Sequence, residues 1–183
     1  MPDIETKRLH YRMLSPDDLD ALLLMVGDPE VMKYLGAEAG AIVSREETKD
    51  ILGKMIEFFA QNGFGRWAVV NKEDGKLIGL CGFRLLENTP ELFYLFARNV
   101  WGKGLATEAA SAMLQYGFRE LGFERIVAAT RHGNTASIRV LAKIGMKYEK
   151  EISHSGVNAL CYAATRDDYQ LDDPTYTIVR DVS

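Results

Sequence analysis

Between Glu91 and Thr130 the chain runs through a strand-like stretch, a glycine-rich turn, a long helical stretch and a second strand-like stretch. No other feature constrains the fold as much. Residues 91–99 read as the first strand, and Gly102-Lys103-Gly104 follows it. Ala106, Ala109, Ala110, Met113, Leu114, Gly117 and Leu121 then share one face of a helix over 104–121, which Gly122 ends. Arg125–Thr130 is too short for a helix and mostly apolar, as a strand covered on both faces would be. Two strands joined through one helix lie parallel and connect right-handedly. With 183 residues, 47% of them apolar, the chain has enough material for one domain, residues 1–183, around a single core.

The flanking sequence adds antiparallel partners. Leu9–Met13 alternates like a half-buried strand. Ser15, Pro16, Asp17 and Asp18 then start a helix that Gly27 ends, Asp28-Pro29 starts a short one through about Leu35, and Ser44 with Glu47 forms a capping box ahead of Ile51, Met55, Phe58 and Phe59. Phe64–Val70 and Lys76–Leu85 read as strands joined at Asp74-Gly75. Asn134 caps a helix with Ile138, Leu141 and Ile144 inward, ended by Gly145; strands over 147–154 and 157–165 follow, joined near Ser155-Gly156. The stretch after Leu171 reads as a polar, mobile tail, which leaves a core of about 5–168. The order implies an α/β or α+β domain: a mixed, mostly antiparallel sheet with one parallel pair, flanked by helices.

Composition excludes several classes. Lys and Arg number 22 against 26 Asp and Glu, net −4, interleaved along the chain, so no nucleic-acid partner is expected. Cys81 and Cys161 lie far apart, and His10, His132 and His154 are equally scattered, so no metal is expected. The charged start Met1–Arg8 is unlike a signal peptide and no run is long enough to span a membrane, which points to a reducing cytoplasmic setting.

A glycine-rich turn between strand and helix offers free N–H groups at a helix N-terminus, where phosphate is held. Trp101-Gly-Lys-Gly-Leu-Ala-Thr107 has that form. A dinucleotide fingerprint needs glycine where Thr107 stands, and a nucleotide P-loop needs a terminal Gly-Lys-Ser/Thr, so neither fits.

Trp101-Gly-Lys-Gly-Leu-Ala-Thr-Glu-Ala109, followed after one strand by Asn134-Thr-Ala-Ser-Ile-Arg-Val-Leu-Ala-Lys-Ile-Gly-Met146, resembles the GNAT superfamily of acetyl-CoA-dependent N-acetyltransferases. Glu5–Arg12 and Asp28–Leu35 resemble the opening of its subgroup of ribosomal-protein N-terminal acetyltransferases. The resemblance spans about residues 5–165. It implies the GNAT fold, with its parallel pair splayed, and acetyl-CoA as co-substrate. Main-chain groups of Trp101, Gly102, Lys103, Gly104, Leu105, Ala106 and Thr107 would bind the pyrophosphate, and those of Phe96, Ala97 and Arg98 the pantetheine. Asn134 would contact the cofactor. The Tyr that many members use as general acid is replaced by Leu141; Ser137, which in this subgroup can hydrogen-bond the CoA sulfur, is present.

Acetyl transfer to an amine needs a base, and Glu91, at the start of the strand leading into the loop, is the leading candidate, with a solvated structural role as its competitor. His132 is the next. Glu108 reads as a fold residue in the first helical turn. Ser137 could instead bond back to its helix cap. Phe58, Phe59, Phe64 and Trp67 are candidates for an acceptor pocket, or core; Arg139 and Lys143 for CoA phosphates, or a solvated face. The acceptor is expected to be a protein or peptide N-terminal α-amine, against a small amine (polyamine, amino acid or aminoglycoside-like) or a CoA-binding sensor without catalysis. A homodimer stays open.

Overall fold

The computed structural model describes residues 3–35, 43–154, 157–169 and 173–179. Among these, nine strands form one sheet: β1 (Asp3–Glu5), β2 (Leu9–Arg12), β3 (Arg66–Asn71), β4 (Leu77–Leu86), β5 (Thr89–Phe96), β6 (Arg125–Arg131), β7 (Lys147–His154), β8 (Val157–Thr165) and β9 (Thr177–Val179). Their spatial order is β7-β8-β6-β5-β4-β3-β2-β1-β9. The pairings are antiparallel except β5 with β6, the crossover pair expected around the long helix.

Five α-helices cover the sheet: α1 (Leu19–Val26), α2 (Pro29–Met32), α3 (Arg45–Asn62), α4 (Leu105–Arg119) and α5 (Thr135–Lys143). Alternation along the strands divides the apolar side chains between the two faces. Trp67, Cys81, Phe83, Leu92 and Phe96 pack with Ala109, Met113 and Leu114 of α4; Ala68, Leu80 and Leu95 pack with Leu22, Met25 and Leu52 of α1 and α3. Gly117 makes the α4 contact possible, because a Cβ there would come within 2.7 Å of Phe83 and 2.8 Å of Ile126.

The start signals work as their chemistry requires. Ser44 Oγ accepts from the Glu47 N–H at 3.2 Å and the Glu47 carboxylate accepts from the Ser44 N–H at 2.9 Å. Asp28 Oδ1 accepts from the Glu30 N–H at 2.9 Å. Pro16–Asp18 instead form a 3-10 turn ahead of α1, and Asp18 is buried against Arg12, Nη2 to Oδ1 2.6 Å, rather than solvated at a helix end.

Two expectations need correction, and one pair of alternatives, pocket or core for the aromatic residues, is decided in favour of core. The chain end is not wholly a mobile tail: Thr177–Val179 pair with β1, the Thr175 N–H donates to Gln115 Oε1 at 2.8 Å, and buried Tyr176 packs on Tyr116. Both strands of that pair have three residues, too few to show alternation. The strand ahead of the glycine turn ends at Phe96, and residues 98–100 form a 3-10 turn. The aromatic residues Phe59, Phe64 and Trp67 are core: Phe59 meets Trp67 edge-on at 5.0 Å and Phe64 meets Phe123 at 5.2 Å, while half-buried Phe58 packs on Phe64. The turn expected at Ser155-Gly156 and the start of the tail at 170–172 lie outside the described residues, as do the side chain of His154 and residues 180–183.

Candidate functional site

β5 and β6 are in register at Glu91 opposite Val127. Beyond that point they part, and a cavity of about 750 Å³ opens between Leu92–Phe96 and Ala128–Arg131. It reaches the α4 N-terminus on one side and residues 30–35 on the other.

The backbone of β5 is turned to serve this opening. The Ala97 N–H donates to Ile78 O at 2.9 Å, toward β4. Neighbouring residues of an antiparallel strand direct their polar groups to opposite sides, so the N–H and C=O of Phe96 face the gap. The Phe96 carbonyl accepts from Trp101 Nε1 at 2.8 Å, which anchors a ring otherwise 47% exposed.

Gly102 and Gly104 have φ of +76° and +75°, left-handed values that favour glycine. They turn the chain into α4, whose first helical bond runs from the Glu108 N–H to Gly104 O at 3.1 Å. The N–H groups of Leu105, Ala106 and Thr107 precede that ladder and stand at the positive end of the helix. Trp101, Gly102, Gly104, Leu105, Ala106 and Thr107 line the cavity. Lys103 does not; its carbonyl accepts from Arg8 Nη1 at 2.9 Å. Ala97 and Arg98 are also outside the lining, the first because β4 takes its N–H and the second because the chain has left the strand for the 3-10 turn.

Glu108 fastens this loop to the N-terminal strands. Its carboxylate accepts from Thr6 Oγ1 at 2.7 Å, the Arg8 N–H at 2.9 Å and Arg8 Nε at 2.6 Å. Burial works to raise its pKa, but the bonds from Thr6 and Arg8 outweigh it and hold the carboxyl below its ordinary range.

Glu91 is buried, 2% exposed, and lines the cavity. It is not solvated: Oε2 accepts from Arg84 Nε at 2.5 Å and Oε1 from Arg84 Nη2 at 2.9 Å. Arg84 is its cross-strand neighbour on β4. His132 is 54% exposed and turned toward Glu151, 3.4 Å away, outside the cavity lining.

On α5, Asn134 Oδ1 accepts from the Ser137 N–H at 3.2 Å. The Ser137 hydroxyl points elsewhere, 2.8 Å from the hydroxyl of Tyr94 on β5. Burial pushes the Tyr94 phenol well above its usual pKa, against the opposing bond to Ser137, so it keeps its proton. Leu141 is buried and lines the cavity from α5 with an apolar side chain, while the Tyr94 phenol reaches the same cavity from β5. Arg139 and Lys143 are exposed on the cavity rim. Across the mouth, Tyr34 Oη donates to Gly133 O at 3.0 Å, tying the segment after α2 to the β6–α5 turn.

Sequence reasoning missed Arg84 and Tyr94. Arg84 had no sequence signal, because the two-residue turn Glu87-Asn88 that sets its register lacks glycine; only the positive φ values in the structure mark the tight hairpin. Tyr94 had no signal of its own, because its partner lies 43 residues away. Among the described residues no group of three or more His, Cys, Asp or Glu could hold a metal, both cysteines are buried and free, and no helix is long and apolar enough to cross a membrane.

The family model for the acetyltransferase (GNAT) domain matches residues 8–147. The uncharacterized N-acetyltransferase p20 of Bacillus licheniformis is 32% identical over 152 residues, spanning 81% of this chain and 84% of that one. A GNAT-family acetyltransferase of Bacillus anthracis has the same fold in its crystal structure, with a TM-score of 0.78, 31% identity and coverage of 90% of this chain and 99% of that one. Ribosomal-protein-S5-alanine acetyltransferase of Vibrio fischeri superposes with a TM-score of 0.74 over 92% of this chain and 98% of its own, a likeness of fold alone at 20% identity.

Proposed function

We propose, since the chain belongs to the GNAT acetyltransferase family and is therefore an acetyl-CoA-dependent N-acetyltransferase, that its acceptor is the α-amine at the N-terminus of a protein or peptide. The observation that carries the cofactor half of this reading is the start of α4, where two left-handed glycines present main-chain N–H groups to the cavity. A second observation fits an extended polar ligand there: Thr130 Oγ1, on a cavity-lining residue, is buried with no hydrogen-bond partner among the described residues.

Acetyl-CoA supplies the acyl group as an activated thioester. In this reading the main chain of Trp101, Gly102, Gly104, Leu105, Ala106 and Thr107 holds its pyrophosphate, and Asn134, besides capping α5, stands beside it. Phe96 offers its N–H to charge developing on the acetyl oxygen. Ala97, Arg98 and Lys103 act at one remove, through the strand and loop geometry they maintain.

The transfer forms a C–N bond and breaks a C–S bond, so the nitrogen must give up a proton and the sulfur must be stabilised as it departs. Glu91 is the proposed acceptor of that proton. Each of its oxygens keeps a lone pair beyond the one used by Arg84. Ser137 is the proposed partner of the sulfur. Donation from Tyr94 to Ser137 Oγ would leave the serine hydrogen free to point at it. No covalent enzyme intermediate is needed.

An α-amine, with a pKa near 8, supplies neutral nucleophile near pH 7 far more readily than a lysine side chain. The test is CoA release with peptides beginning with Ser, Ala or Thr against spermidine, free amino acids and an aminoglycoside. Turnover of the peptides is expected. Turnover of small amines alone would overturn the acceptor, and CoA binding without turnover of any amine would make the chain a CoA-binding protein.

A further inference from the structure

On the sheet face covered by α1 and α3, two cations and one anion from three successive strands meet around one aromatic ring. Arg66 on β3 and Phe93 on β5 both lie across from Gly82 on β4, and Arg84 and Glu91 form the next cross-strand pair. The guanidinium carbons of Arg66 and Arg84 lie 4.7 Å and 5.2 Å from the centre of the Phe93 ring. Gly82 permits this crowding, since a Cβ there would meet the Gly65 carbonyl oxygen.

The charges do not balance. Glu91 spends both oxygens on Arg84. Arg66 Nε is buried with no hydrogen-bond partner, and no carboxylate among the described residues lies within ion-pair distance of its guanidinium. Its pKa falls to about 10, chiefly through burial and next through the like charge of Arg84, against the attraction of Glu91. A half-buried cation with its Nε out of reach of water and no counter-ion is partly desolvated, and an arriving anion relieves that cost. The cavity reaches Arg84, Glu91 and Phe93, and Arg84, with a side chain 41% exposed, has Nη1 unbonded among the described residues. Among the described residues the other charged groups on that arm, Glu30 and Lys33, cancel, so these residues hold no surplus of carboxylates for a polycation.

We propose that the acceptor carries a carboxylate close to its reactive amine, and that Arg84, backed by Arg66 across the Phe93 ring, receives it. This rests on the N-terminal amine reading above and narrows it to peptides with Asp or Glu at the first or second position. The match needs no two-pronged pairing, since Glu91 already occupies Nε and Nη2 of Arg84; a single carboxylate oxygen on Nη1 suffices.

The experiment compares matched acids and amides in CoA release: peptides beginning Asp against Asn and Glu against Gln, and free glutamate against its diamide, with spermidine alongside. A kcat/KM at least tenfold higher for each acid is expected in the productive series, and Arg66→Met should reduce that ratio to threefold or less while Arg66→Lys restores part of it. If Arg66→Met fails to fold, inhibition of the parent by succinate serves instead; it should compete with the acceptor and not with acetyl-CoA. Acid preference confined to free amino acids upholds the carboxylate site and overturns the peptide. Peptide turnover with equal rates for acid and amide overturns the carboxylate site and leaves N-terminal acetylation standing. Preference for spermidine overturns both.

Discussion

On the α4 side the cavity is walled by main chain: a turn with two left-handed glycines and N–H groups ahead of the helix ladder. On the α2 side it is walled by side chains, Arg84, Glu91 and Phe93 among them, delivered by strands whose register brings them together. A main-chain site must be written as a local run of residues, because only particular residues permit its φ values. A side-chain site can be assembled from any strands that happen to be neighbours. The two arms also differ in what holds them, since the loop depends on backbone φ values that favour glycine while the charged cluster depends on contacts between side chains.

The largest effect expected is at the loop. Gly104→Val puts a side chain at φ +75°, which costs about 1–3 kcal/mol in a strained backbone, and sets its bulk where the pyrophosphate is proposed to lie. Thermal melting of the parent should rise by several degrees with CoA at a hundred times its Kd, and the variant should show no rise. A rise in the variant equal to the parent's would break the contrast between the arms.

Glu91→Gln tests the other arm. It should lower kcat by about 10²-fold, a general base's usual share, with the loss shrinking toward pH 9 where the amine is already neutral. CoA-induced stabilisation should stay at the parent's level, because the loop is untouched. A rate and pH profile like the parent's would move the base elsewhere.

Ser137→Ala is expected to cost less, roughly tenfold in kcat, because a thiol leaving group with a pKa near 8.5 needs modest help. Tyr94→Phe should cost threefold or so, the share of one neutral hydrogen bond. Stopped-flow measurement of thiol release would rank the two, and a greater loss at Tyr94 would reverse their proposed order.

The smallest effect is on stability, through Glu108. Its folded pKa is depressed, so the stability it contributes is present above the ordinary carboxylate value of about 4.3 and is lost as pH falls through the lower folded value. Glu108→Gln should therefore melt below the parent at pH 7, and the gap should narrow as pH drops below 4. A constant gap from pH 7 to 3 would assign the difference to packing.

Much of the fold follows from local patterns. The crossover unit, the capping box at Ser44 and Glu47 and the turn at Gly102–Gly104 were all readable, because each rests on residues adjacent in sequence or one helical turn apart. The β1–β9 pairing was not, because neither strand is long enough to show a period and each is stabilised by the other end of the chain. Glu108 read correctly as a fold residue, but its partners Thr6 and Arg8 lie about 100 residues away.

The sequence by itself determined the turn and the helix start that can hold a phosphate, since those depend on glycine's freedom at φ above zero and on peptide groups ahead of the ladder. Only the tertiary structure decided that Glu91 is held by Arg84, that Ser137 meets Tyr94, and that Arg66 stands half-buried against Phe93 with no anion beside it among the described residues. Side chains from different strands meet only once register and sheet order are set, and those are fixed by the packing of the whole core rather than by any one segment.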